Sequence, residues 1–288
     1  MNEEKTKIIN KIFSKERDLY GLTSIEVLGC KFEGDEDGES HLKECTDIAI
    51  YDTIFSLRYP LWHVNGCNIN NSTFNLTSRA PLWYTNNILV NHTTINSPKS
   101  IRECTNINIE SSSISSDEAF WNCDKVNINN TNITGSYLFF NSKNLFMENI
   151  TLTGKYSLQY INDCKITNSK LYTKDAFWHA KDVVVKDSII EGEYLGWYSN
   201  NLTLINCHIK GTQPLCYCKN LKIIDCTFDN ADLAFENSSV DATIIGSILS
   251  IKNPLSGKIV VDDTQIIIDE QNKYNGCALV ILRNKEVK

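Results

Sequence analysis

Apolar residues along this chain recur in short alternating runs, and the runs repeat every nineteen residues. In Asn201-Leu202-Thr203-Leu204-Ile205-Asn206-Cys207-His208-Ile209, Leu202 serves as an anchor for counting. Steps of nineteen forwards reach Leu221, Val240, Ile259 and Ala278; steps backwards reach Val183, Cys164, Leu145, Val126 and Ile107. Ile88, Cys67 and Ile48 follow at spacings of 19, 21 and 19. Ile25 lies 23 residues earlier, the excess being an acidic loop from Glu33 to His41. The anchor and the second residue after it are apolar in nearly every coil, as in Ile48/Ile50, Val126/Ile128 and Leu221/Ile223. Five and seven after it come a small residue and an apolar one, as in Ser72/Phe74, Thr131/Ile133 and Cys226/Phe228. Alternation of period two with β-branched enrichment predicts short strands buried on one face. Nothing in the coil carries a helical stripe.

A repeat of this length cannot bury its apolar face alone, so successive coils must stack, with their strands paired in parallel. The expected fold is all-β: a single-stranded, right-handed parallel β-helix of nineteen-residue coils. One domain spans 1–288, with residues 1–24 an N-terminal cap, read equally as a helix or a partial coil. Regular coils fill 25–262, and closing strands fill 263–288. The fourth column after the anchor reads Asp52, Asn71, Asn130, Asn149, Asn168, Asp187, Asn206 and Asp225. Side chains of this type at one turn tolerate left-handed backbone and bond to one another up the stack. A leucine-rich repeat is the main rival, but the column three before the anchor holds Cys45, Thr85, Cys104, Ser142 and Ala180, where that repeat needs leucine.

Composition narrows the function. A net charge of -7 disfavours nucleic acid, whose phosphates need a basic face. No apolar run approaches a membrane span, and no membrane partner is expected. Residues 1–18 alternate charges without the apolar segment of a secretory signal, so a cytoplasmic location is expected. The eleven cysteines are odd in number and fall mostly in inward columns, so they read as reduced, buried thiols. No spacing fits a metal site or a cofactor loop, and none is expected.

All five tryptophans, Trp62, Trp83, Trp121, Trp178 and Trp197, lie five residues before the anchor. Tyr20, Phe140 and Phe235 share that column, with Lys43, Arg102, Gln159 and Cys216. The preceding column (Leu61, Leu82, Ile101, Phe120, Phe139, Phe177) is apolar and so points inward. The tryptophans therefore point outward or lie in a shallow groove. The following column holds Glu44, His63, Tyr84, Glu103, Tyr160, His179, Tyr198, Tyr217 and Glu236. Coils rise about 4.8 Å each, so the two columns form an aromatic, hydrogen-bonding strip. Such a strip suits an oligosaccharide, with Trp62, Trp83, Trp121, Trp178, Trp197, Tyr84, Phe140, His179 and Tyr198 as ligand-binding residues. Stacked aromatics that only stabilise the solenoid, or a self-association surface giving a homo-oligomer, fit the same pattern. For catalysis the weak candidates are Arg79, Arg102, Glu103, Asp117 and Glu118, which cluster in the repeat frame. A surface salt-bridge network is the simpler account of them.

Several runs carry a resemblance: Gly38-Glu39-Ser40-His41-Leu42-Lys43-Glu44, Tyr59-Pro60-Leu61-Trp62, Asp175-Ala176-Phe177-Trp178, Gly192-Glu193-Tyr194-Leu195-Gly196-Trp197, Leu215-Cys216-Tyr217 and Asn253-Pro254-Leu255-Ser256-Gly257. Together they resemble a mostly Firmicute bacterial family known as a domain of unknown function with a pectin-lyase-like β-helix. The resemblance covers about the whole chain. It implies the fold and no activity. Any enzyme here would act like a polysaccharide lyase or glycoside hydrolase. The polygalacturonase pattern is missing, since Asp262-Asp263 stands alone and there is no Gly-His-Gly.

Overall fold

The structure, a computed structural model, describes residues 4–269, 276 and 278–284. Residues 270–275, 277 and 285–288 of the expected closing segment lie outside the described residues. The chain forms two compact units, Met1–Ile150 and Thr151–Lys288. Each is a parallel β-solenoid, and among the described residues there is no α-helix. This disposes of the leucine-rich alternative.

The coil has a simple plan. A six-residue strand such as Thr105–Glu110 is followed, after one bent corner, by a short strand such as Ser113–Ser115. In the first unit the anchors pair in register as expected: Ile25 with Ile48, then Cys67, Ile88, Ile107, Val126 and Leu145. In the second, Cys164 pairs with Val183, and Val183 with Leu202. The N-terminal segment is a coil and not a helix, since Thr6–Ile9 pairs with Thr23–Leu28 and Phe13 with Phe32. At the other end Gln265–Ile267 and Leu279–Leu282 are strands.

Two expected registers are wrong, for Ile259 pairs onward with Val280 and not with Ala278. Val240 pairs with Gly257, only seventeen residues on, and Ile259 pairs with Ala242. The error is two residues, so Ile259 still points inward and is buried, which is why the alternation did not betray it.

The inward columns are buried and stacked. Phe32 lies 4.7 Å from Phe55, and Phe55 4.6 Å from Phe74, with rings within 5° of parallel. The corner after the long strand is held twice. Its outer residue is left-handed, as at Asn71 and Asn206, and Asn206 donates to the Asp187 carboxylate at 2.6 Å. Its inner residue is a buried hydroxyl that accepts from the backbone of the preceding coil: Thr93 N–H donates to Ser112 at 3.2 Å, and Ser72 N–H to Thr93 at 3.4 Å. Thr93→Val leaves the Ser72 N–H buried without its acceptor, which costs about 1–3 kcal/mol. The urea midpoint should fall while the slope of the transition stays as in the parent chain.

Candidate functional site

The strip forms because the column before it is fully inward: Leu61, Leu82, Phe120, Phe139 and Phe177 are all buried. The neighbouring tryptophans must then emerge at the surface, and all five are half-buried. Residues of the next column adopt left-handed backbone, among them His63, Tyr84, Tyr160, His179, Tyr198 and Tyr217.

In the second unit the rings form a ladder. Tyr160 stacks on His179 at 4.9 Å, His179 on Tyr198 at 5.0 Å and Tyr198 on Tyr217 at 4.8 Å, all within 13° of parallel. Trp178 stacks on Trp197 at 5.5 Å and 4°. Tyr194 and Tyr217 meet Trp197 edge-on. The Trp178 and Trp197 indole N–H groups each donate to a backbone carbonyl, of Tyr194 and Gln213, at 2.8 Å.

Stacking along the coil axis decides what the ladder offers. Ring faces are turned to one another, and ring edges are turned to water. Tyr160 and Tyr198 are 48% and 47% exposed. No protein hydrogen bond engages the Tyr198 hydroxyl or the His179 ring nitrogens among the described residues. The mutually covered faces of Trp178 and Trp197 are therefore closed to a sugar ring laid flat on an indole. What faces outward is a row of phenol and imidazole edges repeating with the coil.

The first unit's strip is charged. Trp62 stacks on Trp83 at 5.9 Å. Lys43 Nζ lies 4.2 Å over the Trp62 ring, and the Arg102 guanidinium 4.4 Å over Trp121. Trp121 donates to the Tyr137 carbonyl at 2.6 Å and lies 5.2 Å from Phe140. Tyr84 is exposed and stacks on His63 at 5.1 Å.

The catalytic candidates do not converge. Arg102 and Lys99 both pair with Glu118, at 3.4 and 3.3 Å. Asp117 accepts from the Ser136 N–H at 2.7 Å, and Glu103 accepts from Asn122 at 2.6 Å. Arg79 is exposed and opens onto a different groove, about 540 Å³, shared with Glu33, Glu36 and Arg58. Only Arg102 and Glu118 of the five are brought together, in a partly solvated ion pair.

Two placements correct the sequence frame. Phe235 is not in the tryptophan column. It is fully buried, its N–H donates to the Pro214 carbonyl, and Glu236 takes the outward position, pairing with Lys252 at 2.9 Å. Cys216 shares the tryptophan column but is buried. Sequence reasoning missed Tyr59 and Tyr194, which lean on the tryptophans; tyrosine recurring eight before the anchor was the available signal. It also missed a groove of about 580 Å³ in the second unit, lined among others by Asn201, Thr203, Asn220, Lys222, Asp241 and Ser256.

The ten described cysteines are free and buried, and burial pushes the thiol up to about 11 at Cys45 and to about 12 at Cys104. All ten should resist a thiol reagent in the folded chain and react together on unfolding, as a thiol-release assay in urea would report.

No curated protein matches the chain. Among solved structures it is similar to a mutant tailspike protein of E. coli bacteriophage HK620 in complex with hexasaccharide. That likeness has 8% identity, 92% of this chain and 67% of that chain covered, and a TM-score of 0.32. It is similar to tailspike protein 3 of bacteriophage CBA120, at 10% identity, 96% and 56% coverage and a TM-score of 0.32. It is similar to the catalytic domain of a GH87 alpha-1,3-glucanase in complex with tetrasaccharides, at 9% identity, 96% and 63% coverage and a TM-score of 0.34. The chain thus spans 56–67% of the length of these three. The family model described as "Protein of unknown function (DUF3737)" matches residues 6–282, in line with the resemblance read from the sequence, and the chain belongs to that family.

Proposed function

We propose that this chain binds oligosaccharide through the outward aromatic strip. The observation that carries the reading is the stacked ladder Tyr160–His179–Tyr198–Tyr217, of which Tyr160, His179 and Tyr198 are exposed at the spacing of one coil. Phenol and imidazole edges donate to and accept from hydroxyls, and the coil repeat offers the same contact to successive sugars. The reading is binding and not catalysis, because Glu103, Asp117 and Glu118 are each engaged by neighbouring protein groups. The free thiols support a reducing, cytoplasmic setting for it.

The test separates binding from stability. Tyr198→Phe and His179→Phe keep a flat ring in the stack and remove the outward polar atoms. Each should weaken an oligosaccharide found in a glycan screen about tenfold by calorimetry, with the melting temperature nearly unchanged. Parent-like affinity in both variants, or a screen without any binder, sinks the reading. A second reading is that the stacked faces simply stabilise a non-enzymatic scaffold. It is favoured by the mutual coverage of Trp178 and Trp197, and it predicts that Tyr198→Ala lowers stability by about 1 kcal/mol while nothing binds.

A further inference from the structure

The five tryptophans are not alike. Trp121, Trp178 and Trp197 each donate the indole N–H to a backbone carbonyl. Trp62 and Trp83 do not: both Nε1 atoms are buried, and neither has an acceptor among the described residues. An indole N–H is a donor only, so nothing but an acceptor can satisfy it. A buried donor left unmade is unfavourable, and here two stand one coil apart on rings 5.9 Å from each other.

Their surroundings are cationic. Lys43 Nζ lies 4.2 Å over Trp62, and Arg102 is the register partner of Trp83 in the following coil. Lys43 has no carboxylate partner among the described residues, whereas Arg102 shares Glu118 with Lys99. The Tyr59 ring, half-buried, packs tilted against both indoles, at 5.9 and 6.1 Å. In the second unit Gln159 and Cys216 stand where Lys43 and Arg102 stand in the first, and the lysines near the strip are paired, Lys252 with Glu236 and Lys174 with Glu193.

We infer that the paired Trp62 and Trp83 indole N–H groups, with Lys43 beside them and Tyr59 as a movable cover, form a seat for an oxyanion carried on a sugar. Two unpartnered N–H donors one coil apart can converge on the oxygens of one carboxylate or phosphate held between them, and the ammonium supplies the countercharge. This rests on reading the strip as a binding surface and adds the ligand class: anionic in the first unit, neutral in the second.

Indole N–H resonances of the ¹⁵N-labelled full chain, assigned with single Trp→Phe variants, test it directly. Inorganic phosphate is titrated first, with chloride as the ionic-strength control, then a hexose phosphate, a hexuronate and a neutral hexose. The Trp62 and Trp83 signals should move downfield and saturate while the other three hold still. The hexose phosphate or the hexuronate, whichever is tighter, identifies the source of the oxyanion. Trp83→Phe should abolish the response with the remaining signals intact, and Lys43→Met should weaken it about tenfold. Tyr59→Ala should tighten it by uncovering the donors. The inference is overturned if all five signals move together as they do in chloride, or if Trp62 and Trp83 respond to no anion. Neutral oligosaccharide acting at Trp178 and Trp197 in that second case would leave the proposed function standing and remove only this inference.

Discussion

Phe55→Ala should destabilise the first unit by about 3–5 kcal/mol, the largest single effect expected of any side-chain truncation in this chain. Phe55 is fully buried and sits inside a continuous file, 4.7 Å from Phe32 on one face and 4.6 Å from Phe74 on the other. Its removal takes away both stacked faces, each worth about 0.5–1.5 kcal/mol beyond burial. Backbone hydrogen bonds to the coils on either side keep the walls from closing on the gap. Ile54 N–H is held by the Cys30 carbonyl at 3.0 Å, and Asn75 N–H by the Phe55 carbonyl at 2.8 Å. Phe55→Leu fills most of the space and should recover more than half of the loss. Urea unfolding of the two variants checks it. Equal, small losses would mean that the phenylalanine file adds little to the solenoid.

That file is legible in the sequence, and the reason is physical. In a parallel stack a side chain meets its own column above and below, so every column must be chemically consistent, and consistency is what a repeat shows. Ile107, Val126 and Leu145, or Phe32, Phe55 and Phe74, can be written down by counting. Counting fails where two irregularities cancel. Val240 still stands nineteen positions after Leu221, and those two do pair. Yet Cys218 N–H donates to Ser238, twenty residues on, so an extra residue has entered the turn. Ser239 N–H then donates back to the Cys218 carbonyl, and the left-handed corner residue represented by Asn220 in the coil before has no counterpart. Phe235 slips inward as a result and Glu236 slips outward. The corner lost at Ser239 is also where the 580 Å³ groove opens.

The candidate site was legible as a location more than as chemistry. Sequence places Trp178, Trp197, His179 and Tyr198 on one face, and the structure keeps them there. Which part of each ring faces water depends on side-chain torsions that no spacing encodes. Neighbouring rings one coil apart turn face to face, since that buries the most apolar area. The same holds for the charges. Arg79 and Arg102 are near in the repeat frame, but one opens onto the Glu33 groove and the other lies over Trp121.

His41 supplies the second large effect, a loss of stability in mild acid. It stands seven before its anchor, in an inward column that elsewhere holds Pro60, Pro81, Ser100, Ala119 and Leu138. The ring is fully buried, 4.9 Å from Phe32, and neither nitrogen meets a partner in good hydrogen-bond geometry. Burial lowers its pKa from 6.5 to about 4, and Asp18 at 4.0 Å and the Gly38 backbone offset only part of that. Above pH 6.5 the imidazole is neutral in folded and unfolded chains alike, so it contributes no pH dependence. Between 6.5 and about 4 the unfolded chain takes a proton that the folded chain refuses, so stability falls as pH falls. Below about 4 both forms are protonated and the loss levels off, having reached about 3 kcal/mol. The upper half of this window lies above the titration of ordinary carboxylates, so the signal is separable from general acid denaturation. His41→Leu should flatten the stability profile between pH 6.5 and 5 in urea unfolding series, since leucine suits the column and does not titrate. A parent chain already flat across that interval would show that the imidazole charges inside the fold without penalty.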